Sequence, residues 1–522
     1  LDLDRSKAAW PADDAALDDL WRRRVKNDVL ALRIAGKDEA AIAKTLANRY
    51  DGLDRRTQQL NAEDVFQLFV NAYTTSIEPH TAYFSPRTSE NFRIRMSLSL
   101  EGIGAVLQAE DEYTLVREVV PGGPADKSGT LHPQDRITGV GQGEKGELVD
   151  VIGWRLDDVV DLIRGPKGTT VRLEVLPKGI GAEGPTRVVS IARNKIELEE
   201  QAAKKSVIDV PHGPGRLKIG IIDVPTFYLD FEARAAGDDN YRSTTRDVRK
   251  LLGELRKDRV DGVVIDLRSN GGGSLTEATE LTGLFIETGP IVQVRNADGR
   301  MQVERDSDPL VEYDGPLAVL VDRYSASASE IFAGAIQDYG RGVIIGEPTF
   351  GKGTVQNLVD LSRLDRMSDD SLGQLKATIA QFFRVAGAST QHRGVVPDVV
   401  FPTAAYASDE GERALDNALP WDQVQPALFS RANSHLGPLD RALALHKQRI
   451  TGNDGFKALI EEAQAVQEAR KRNTVSLLES RRRAEQDRQR KDHEARQNRL
   501  RAAVGLPPLS EEERAALADP DA

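Results

Sequence analysis

Three short apolar runs constrain this chain more than any other feature: "VDGVVIDLRS" (260–269), "GPLAVLVDRYS" (315–325) and "RGVIIGEPTF" (341–350). Each has the length and β-branched content of a buried strand, and stretches with helical spacing lie between them. Strands alternating with helices imply an α/β core over about residues 196–404. The flanks read differently. Residues 1–97 are helical in spacing, as in "LDDLWRRRVKNDVLALRIAG" and "AEDVFQLFVNAYTTSI", until the two prolines of "EPHTAYFSP". Residues 98–195 break into short strands and turns around one helical stretch, "WRLDDVVDLIRG". Beyond 405 the chain is helical again and densely charged. The expected class is therefore a multidomain α+β chain with those four segments.

Length and composition agree. A chain of 522 residues is too long for one core. Its 39% hydrophobic and 29% charged residues suit an ordinary water-soluble fold. No apolar run approaches the roughly 20 residues that span a bilayer. Zero cysteines exclude disulfides, thiolate catalysis and Cys-zinc sites. Leu1 is not followed by a signal-peptide core, which predicts a start inside a longer precursor whose targeting segment is gone. A net charge of −12 argues against a nucleic-acid partner. The basic stretch 470–501 holds twelve Lys/Arg against five Asp/Glu, but opposite signs fall three and four apart and no aromatic residue interrupts them. That pattern predicts a solvated helix rather than a binding arm.

Three motifs imitate binding loops and fail. "GEPTFGKG" resembles a phosphate loop, yet Gly353 stands where a metal-binding Ser or Thr is required, and a strand-like run follows instead of a helix. "DLRSNGGGSLTE" has calcium-loop spacing, but Arg268 occupies a ligand position and a strand precedes it. "GQGEKG" has dinucleotide-loop spacing but opens no helix. No metal site and no cofactor is expected. Lys352 needs another role.

That role is suggested by "YSASASEIFAGAIQDYG", where an apolar strand runs through small residues into a helix. Such a turn can present Ser327 at the helix N-terminus, and Ser327, Glu330, Gly334 and Asp338 share one helical face. The turn "NGGGS" at another strand end exposes backbone N–H groups suited to an oxyanion. Lys352, on a Gly-flanked loop with Gln356 four residues on, could deprotonate a serine only if burial lowers its pKa. Gln356 can orient that amine without the negative charge that would raise its pKa. For the same reason Asp338 is expected to brace the helix and not to touch Lys352. A Ser–His–Asp triad is disfavoured, because Arg393 beside His392 opposes the imidazolium a triad needs.

Together "NGGGSLTEA", "VDRYSASASEIFAGAIQDYGR" and "GEPTFGKGTVQ" resemble, in this order, the tail-specific (carboxyl-terminal processing) Ser–Lys peptidases. The likeness is closest to the large periplasmic Prc/Tsp branch and covers about residues 65–404, from the helical segment to "STQHRGVVPDVVFPT". The first segment then resembles the end of a longer N-terminal helical domain. The resemblance implies Ser327 as nucleophile, Lys352 as general base, and Gln356 and Asp338 as supporting residues. It implies an oxyanion hole from the Ala328 and Gly272 N–H groups. Arg268, Glu330 and Thr349 lie in the same motifs and are expected to help assemble the site.

The second segment, 98–195, reads as a PDZ domain, as the resemblance also implies. Gly102, Ile103, Gly104 and Ala105 would form its carboxylate loop, and Leu156, Val159, Val160 and Ile163 would wall its groove. At least half of those groove residues are expected to belong to the core. The expectation is an ATP-independent endopeptidase that captures proteins by apolar C-termini. Resemblance places it in a bacterial periplasm, acting on cell-envelope proteins with an envelope adaptor protein as candidate partner. The alternative is a non-enzymatic PDZ scaffold with a degenerate core, against which Ser327, Lys352, Gln356 and the glycine turn all count.

Overall fold

The structure, a computed structural model, describes residues 1–5, 8–180, 184–363, 371–401, 410–432 and 439–518. The boundary expected at 404/405 lies outside them.

The N-terminal segment begins with helices Asp14–Ile34, Glu39–Gln58 and Ala62–Ile77. Each is opened by a side chain that accepts a first-turn N–H: Asp13, Asp38 and Asn61. The first two pack through Leu32, Ile42 and Leu46. The segment is not wholly helical. Strand Ala82–Phe84 follows and pairs antiparallel with Gln374–Arg384, so these residues extend a sheet of the core.

Helix Pro86–Ser97 leads into the second segment, whose two ends are tied together by strand Ser99–Gly102 against Asn194–Glu197. Between them lies a six-stranded antiparallel sheet over a separate core that includes Val116, Ile137, Val159, Val171 and Leu173. Strand Ala105–Glu110 is at the edge of this sheet, and helix Leu156–Ile163 lies against it.

The core carries two sheets. In one, Gly215–Asp223, Gly262–Asp266, Leu317–Val321, Val343–Gly346 and Val399–Val400 run parallel, with Lys204–His212 antiparallel at one edge. The other is antiparallel and is built around Gln374–Arg384. Helix Ala328–Asp338 packs against strands of both sheets and against helix Leu275–Gly283, and its residues 328–336 are all buried. Its alanines and Gly334 give it the slim profile such a position needs. Beyond the core, residues 410–432 fold back onto it; Trp421 Nε1 donates to the Ser389 carbonyl at 2.9 Å. Helices Asp454–Lys471 and Glu479–Ala503 then pair through Arg496–Glu462 and Arg499–Glu461. None of the described helices is long and apolar enough to cross a membrane.

Candidate active site

Parallel pairing explains why remote turns meet. Gly262–Asp266 and Leu317–Val321 are neighbours in register, Asp266 opposite Leu320, so the turns after them emerge side by side. Asn270, fully buried, sews the two together. Its carbonyl accepts the Ala326 N–H at 3.0 Å and the Ser329 hydroxyl at 2.9 Å. Its side chain donates to the Val224 carbonyl and accepts the Gly272 N–H. Gly272 presses against the serine turn: an added Cβ would lie 2.8 Å from the Ala326 carbonyl and 2.9 Å from Ser327 Cβ.

Ser327 caps helix Ala328–Asp338 at φ 57°, ψ −110°, a region that favours glycine. Such strain is of order 1–3 kcal/mol and is held here by surrounding bonds. The Ser327 side chain stays partly exposed at the helix start while Ala328 behind it is buried. The Ala328 N–H belongs to the first helical turn, where backbone donors have no helical acceptor.

Lys352 arrives from the neighbouring strand. Val343–Gly346 pairs parallel with Leu317–Val321, and the chain then crosses through residues 347–353 to strand Thr354–Asp360 of the antiparallel sheet. Glu330, fully buried on the serine helix, holds this crossing. One of its carboxylate oxygens accepts the Ser327 N–H at 2.8 Å and the Lys352 N–H at 2.9 Å. The other accepts the Gly351 N–H at 2.7 Å and the Thr349 hydroxyl at 2.6 Å. Burial pushes the Glu330 carboxyl up to about 7, against the pull of those donors. Gly353 has no room for a side chain, since an added Cβ would lie 2.7 Å from Ser389 Oγ. That adds a steric objection to a Ser or Thr there.

Lys352 Nζ donates to Gln356 Oε1 at 2.5 Å. Gln356 is itself fixed, its Nε2 donating to Thr354 Oγ1 and Thr378 Oγ1 at 2.9 and 3.0 Å. Loss of water, then the nearby Lys376 charge, pulls the Lys352 pKa down to about 8; Glu412, Glu330 and Glu78 pull the other way. Among the described residues, no hydrogen bond joins Lys352 to the Ser327 hydroxyl. The two residues share a carboxylate through their backbones, with the lysine turned to Gln356.

Other expected site residues fall elsewhere. Asp338, at the far end of the serine helix, ion-pairs with Arg384 and does not reach Lys352. The Gly272 N–H is taken by Asn270 Oδ1 at 2.9 Å, so it is not open to an oxyanion; those of Gly271 and Gly273, both exposed, have no partner among the described residues. Arg268 is exposed and forks onto Asp266. Asn270, Thr354 and Thr378 escape sequence reasoning. Only the position of Asn270 before three glycines could have flagged it.

In the second segment, Gly104 adopts φ 76°, and its carbonyl and that of Ile103 accept the Val120 and Ala125 N–H groups. The Ile103 and Gly104 N–H groups have no partner among the described residues. Ala105 starts the edge strand. On the facing helix, Val159 and Ile163 belong to the core, whereas Leu156 and Val160 are half-buried.

Comparison with known proteins places these parts in one lineage. The chain matches Peptidase family S41 over residues 218–401 and the PDZ domain over 92–176. It also matches the tail specific protease N-terminal domain over 1–87 and the C-terminal domain of tail specific protease over 406–522. It is 44% identical over 492 residues to the tail-specific protease of Haemophilus influenzae, covering 93% of this chain and 68% of that one. It is 30% identical to the chloroplastic carboxyl-terminal-processing peptidase 2 of Arabidopsis thaliana, covering 72% and 68%. A crystal structure of the PDZ domain of a Vibrio cholerae carboxy-terminal protease, in complex with peptide, is 59% identical; it covers 19% of this chain and 100% of that one, with a TM-score of 0.19.

Proposed function

The chain belongs to the tail-specific protease family, and from that premise we propose that it is an ATP-independent endopeptidase working through a Ser327–Lys352 dyad. Membership makes it a C-terminal-processing serine protease with a PDZ domain. The carrying observation for the dyad is the shared Glu330 oxygen, which ties the backbones of Ser327 and Lys352 beside a lysine of lowered pKa.

In the proposed reaction, neutral Lys352 takes the Ser327 proton as Oγ attacks the scissile carbonyl. The oxyanion is met by the Ala328 N–H and by a glycine of the 271–273 turn, Gly271 or Gly273 in the present arrangement. Lys352 then returns the proton to the leaving amine, and water releases the acyl group by the same path. Gln356 orients the amine while adding no charge. Lys352 Nζ, held by Gln356 Oε1, must turn towards Ser327 for this to occur.

The PDZ segment captures the substrate's C-terminus in the same reading. The unpartnered Ile103 and Gly104 N–H groups suit a terminal carboxylate, and the edge strand Ala105–Glu110 can take the tail as a further strand. Half-buried Leu156 and Val160 favour apolar tails. A periplasmic location, cell-envelope substrates and an envelope adaptor belong to this reading through the family likeness. The test is digestion of an unfolded protein with and without a free apolar tail. Tail-dependent cleavage that Ser327→Ala abolishes is expected; cleavage retained in Ser327→Ala would refute the dyad.

A further inference from the structure

The loop that carries Lys352 is held on two sides, and only one of them is Glu330. On the other, the Gly353 N–H donates to Gln391 Oε1 at 2.7 Å. Gln391 Nε2 donates to Glu412 Oε1 at 2.9 Å, and the Glu412 N–H returns to the Phe350 carbonyl at 3.0 Å. Glu412 is fully buried, with no Lys or Arg paired to it among the described residues. Its partner is His80, whose Nε2 lies 2.8 and 3.0 Å from the two carboxylate oxygens. An imidazole nitrogen facing both oxygens of a carboxylate carries the proton. His80 comes from the N-terminal segment and Glu412 from beyond the α/β core, so the lysine loop is braced by residues from both flanks.

We propose that His80 and Glu412 form a positioning pair for Lys352, acting through Gln391 and Gly353 and setting how readily the lysine gives up its proton. This rests on Lys352 being the general base. A buried carboxylate placed here does two things. It fixes the peptide next to the lysine, and its negative field favours the ammonium, as Glu330 and Glu78 also do while Lys376 opposes them. His80 keeps Glu412 in register and offsets part of its burial cost. The pair thus trades some base readiness for a fixed loop.

The experiment uses the full chain, a short untagged reporter peptide and a pH series. His80→Ala should lower kcat by as much as about a hundredfold with little change in KM, since a loop displaced by about 1 Å costs that much. His80→Gln, which keeps a neutral donor, should recover most of the loss. Glu412→Gln removes the charge. Its amide oxygen, in the place of Oε1, still receives Gln391 Nε2. Its NH2, in the place of Oε2, can donate to His80 Nε2 once the imidazole proton sits on Nδ1. This substitution should move the acid limb of kcat to lower pH. Unchanged kcat in His80→Ala together with an unmoved limb in Glu412→Gln, in an enzyme that Lys352→Ala inactivates, would overturn the pair. Should His80→Ala fail to fold, an unmoved limb in Glu412→Gln would overturn it alone. An active Lys352→Ala enzyme would instead overturn the dyad, and the pair with it.

Discussion

Lys352 can act as a base only while its amine is neutral, and burial makes that state accessible near neutral pH. Its ordinary value of 10.5 falls to about 8, so the neutral fraction grows as pH rises through that point. Activity should follow, with an acid limb of kcat/KM near pH 8; a pH-independent rate would exclude a lysine base. Lys352→Arg should be as inactive as Lys352→Ala, because guanidinium does not deprotonate. Stability should rise with pH over the same range as activity. A lysine whose folded pKa lies below its unfolded one destabilises the fold fully below the folded value, and the cost fades as pH climbs towards 10.5. Lys352→Met should therefore raise the melting temperature at pH 7 and raise it progressively less above pH 8. Equal gains at pH 7 and pH 10 would show that the lysine carries no desolvation cost.

At the scale of elements, the PDZ helix Leu156–Ile163 faces two ways. Half-buried Leu156 and Val160 are the residues proposed to meet the tail, while Asp158 and Asp161 ion-pair with Arg87 of helix Pro86–Ser97 at 2.6 and 2.7 Å. Arg155, just before the helix, also reaches Asp64. A tail that wedges into the groove therefore pushes on a helix joined to the N-terminal segment, and that segment supplies a strand to the catalytic sheet. This geometry favours gating over simple tethering. A free apolar-tailed peptide should raise kcat on a short untagged reporter. Gly104→Val, strained at φ 76° and close to the Gly123 backbone, should abolish that acceleration and leave basal cleavage intact. No response at saturating peptide would make the PDZ domain a tether only.

Across the whole molecule, the catalytic unit is not one continuous stretch of chain. Strand Ala82–Phe84 completes a core sheet from one flank, and residues 410–432 return to the core from the other. The span 196–404 expressed alone should accordingly show no Ser327-dependent cleavage, and it should melt less cooperatively than the full chain. A sharp transition with full activity would show the flanks to be dispensable. The proposed reaction runs on serine, lysine and backbone donors, so cleavage by the full chain should survive EDTA and need no ATP. Loss in EDTA that a single metal ion restores would reveal a ligand site.

Local chemistry makes much of this legible from the residues alone. Period-two and period-3.6 patterns and their turn residues report short-range preferences, so the multidomain α+β class and the buried strands can be read directly. Ser327, Lys352 and Gln356 stand out because small residues and glycines around them mark sharp turns, whereas Glu330 and Thr349 are reached through the family motifs in which they lie. The rest depends on register between distant segments, which no local pattern encodes. Three residues, Ala82–Phe84, are too few to show a period, and their pairing with Gln374–Arg384 emerges only when the sheet forms. Whether Val159 or Val160 fills the core depends on how helix Leu156–Ile163 is rotated on its sheet. Asp338 shares a helical face with Ser327, yet the helix is long enough to carry it away to Arg384. The Gly272 N–H is taken by the Asn270 side chain two residues back, a contact that only the folded course of the turn decides. His80 meets Glu412, and Thr378 meets Gln356, only because packing closes loops whose ends are far apart in the chain.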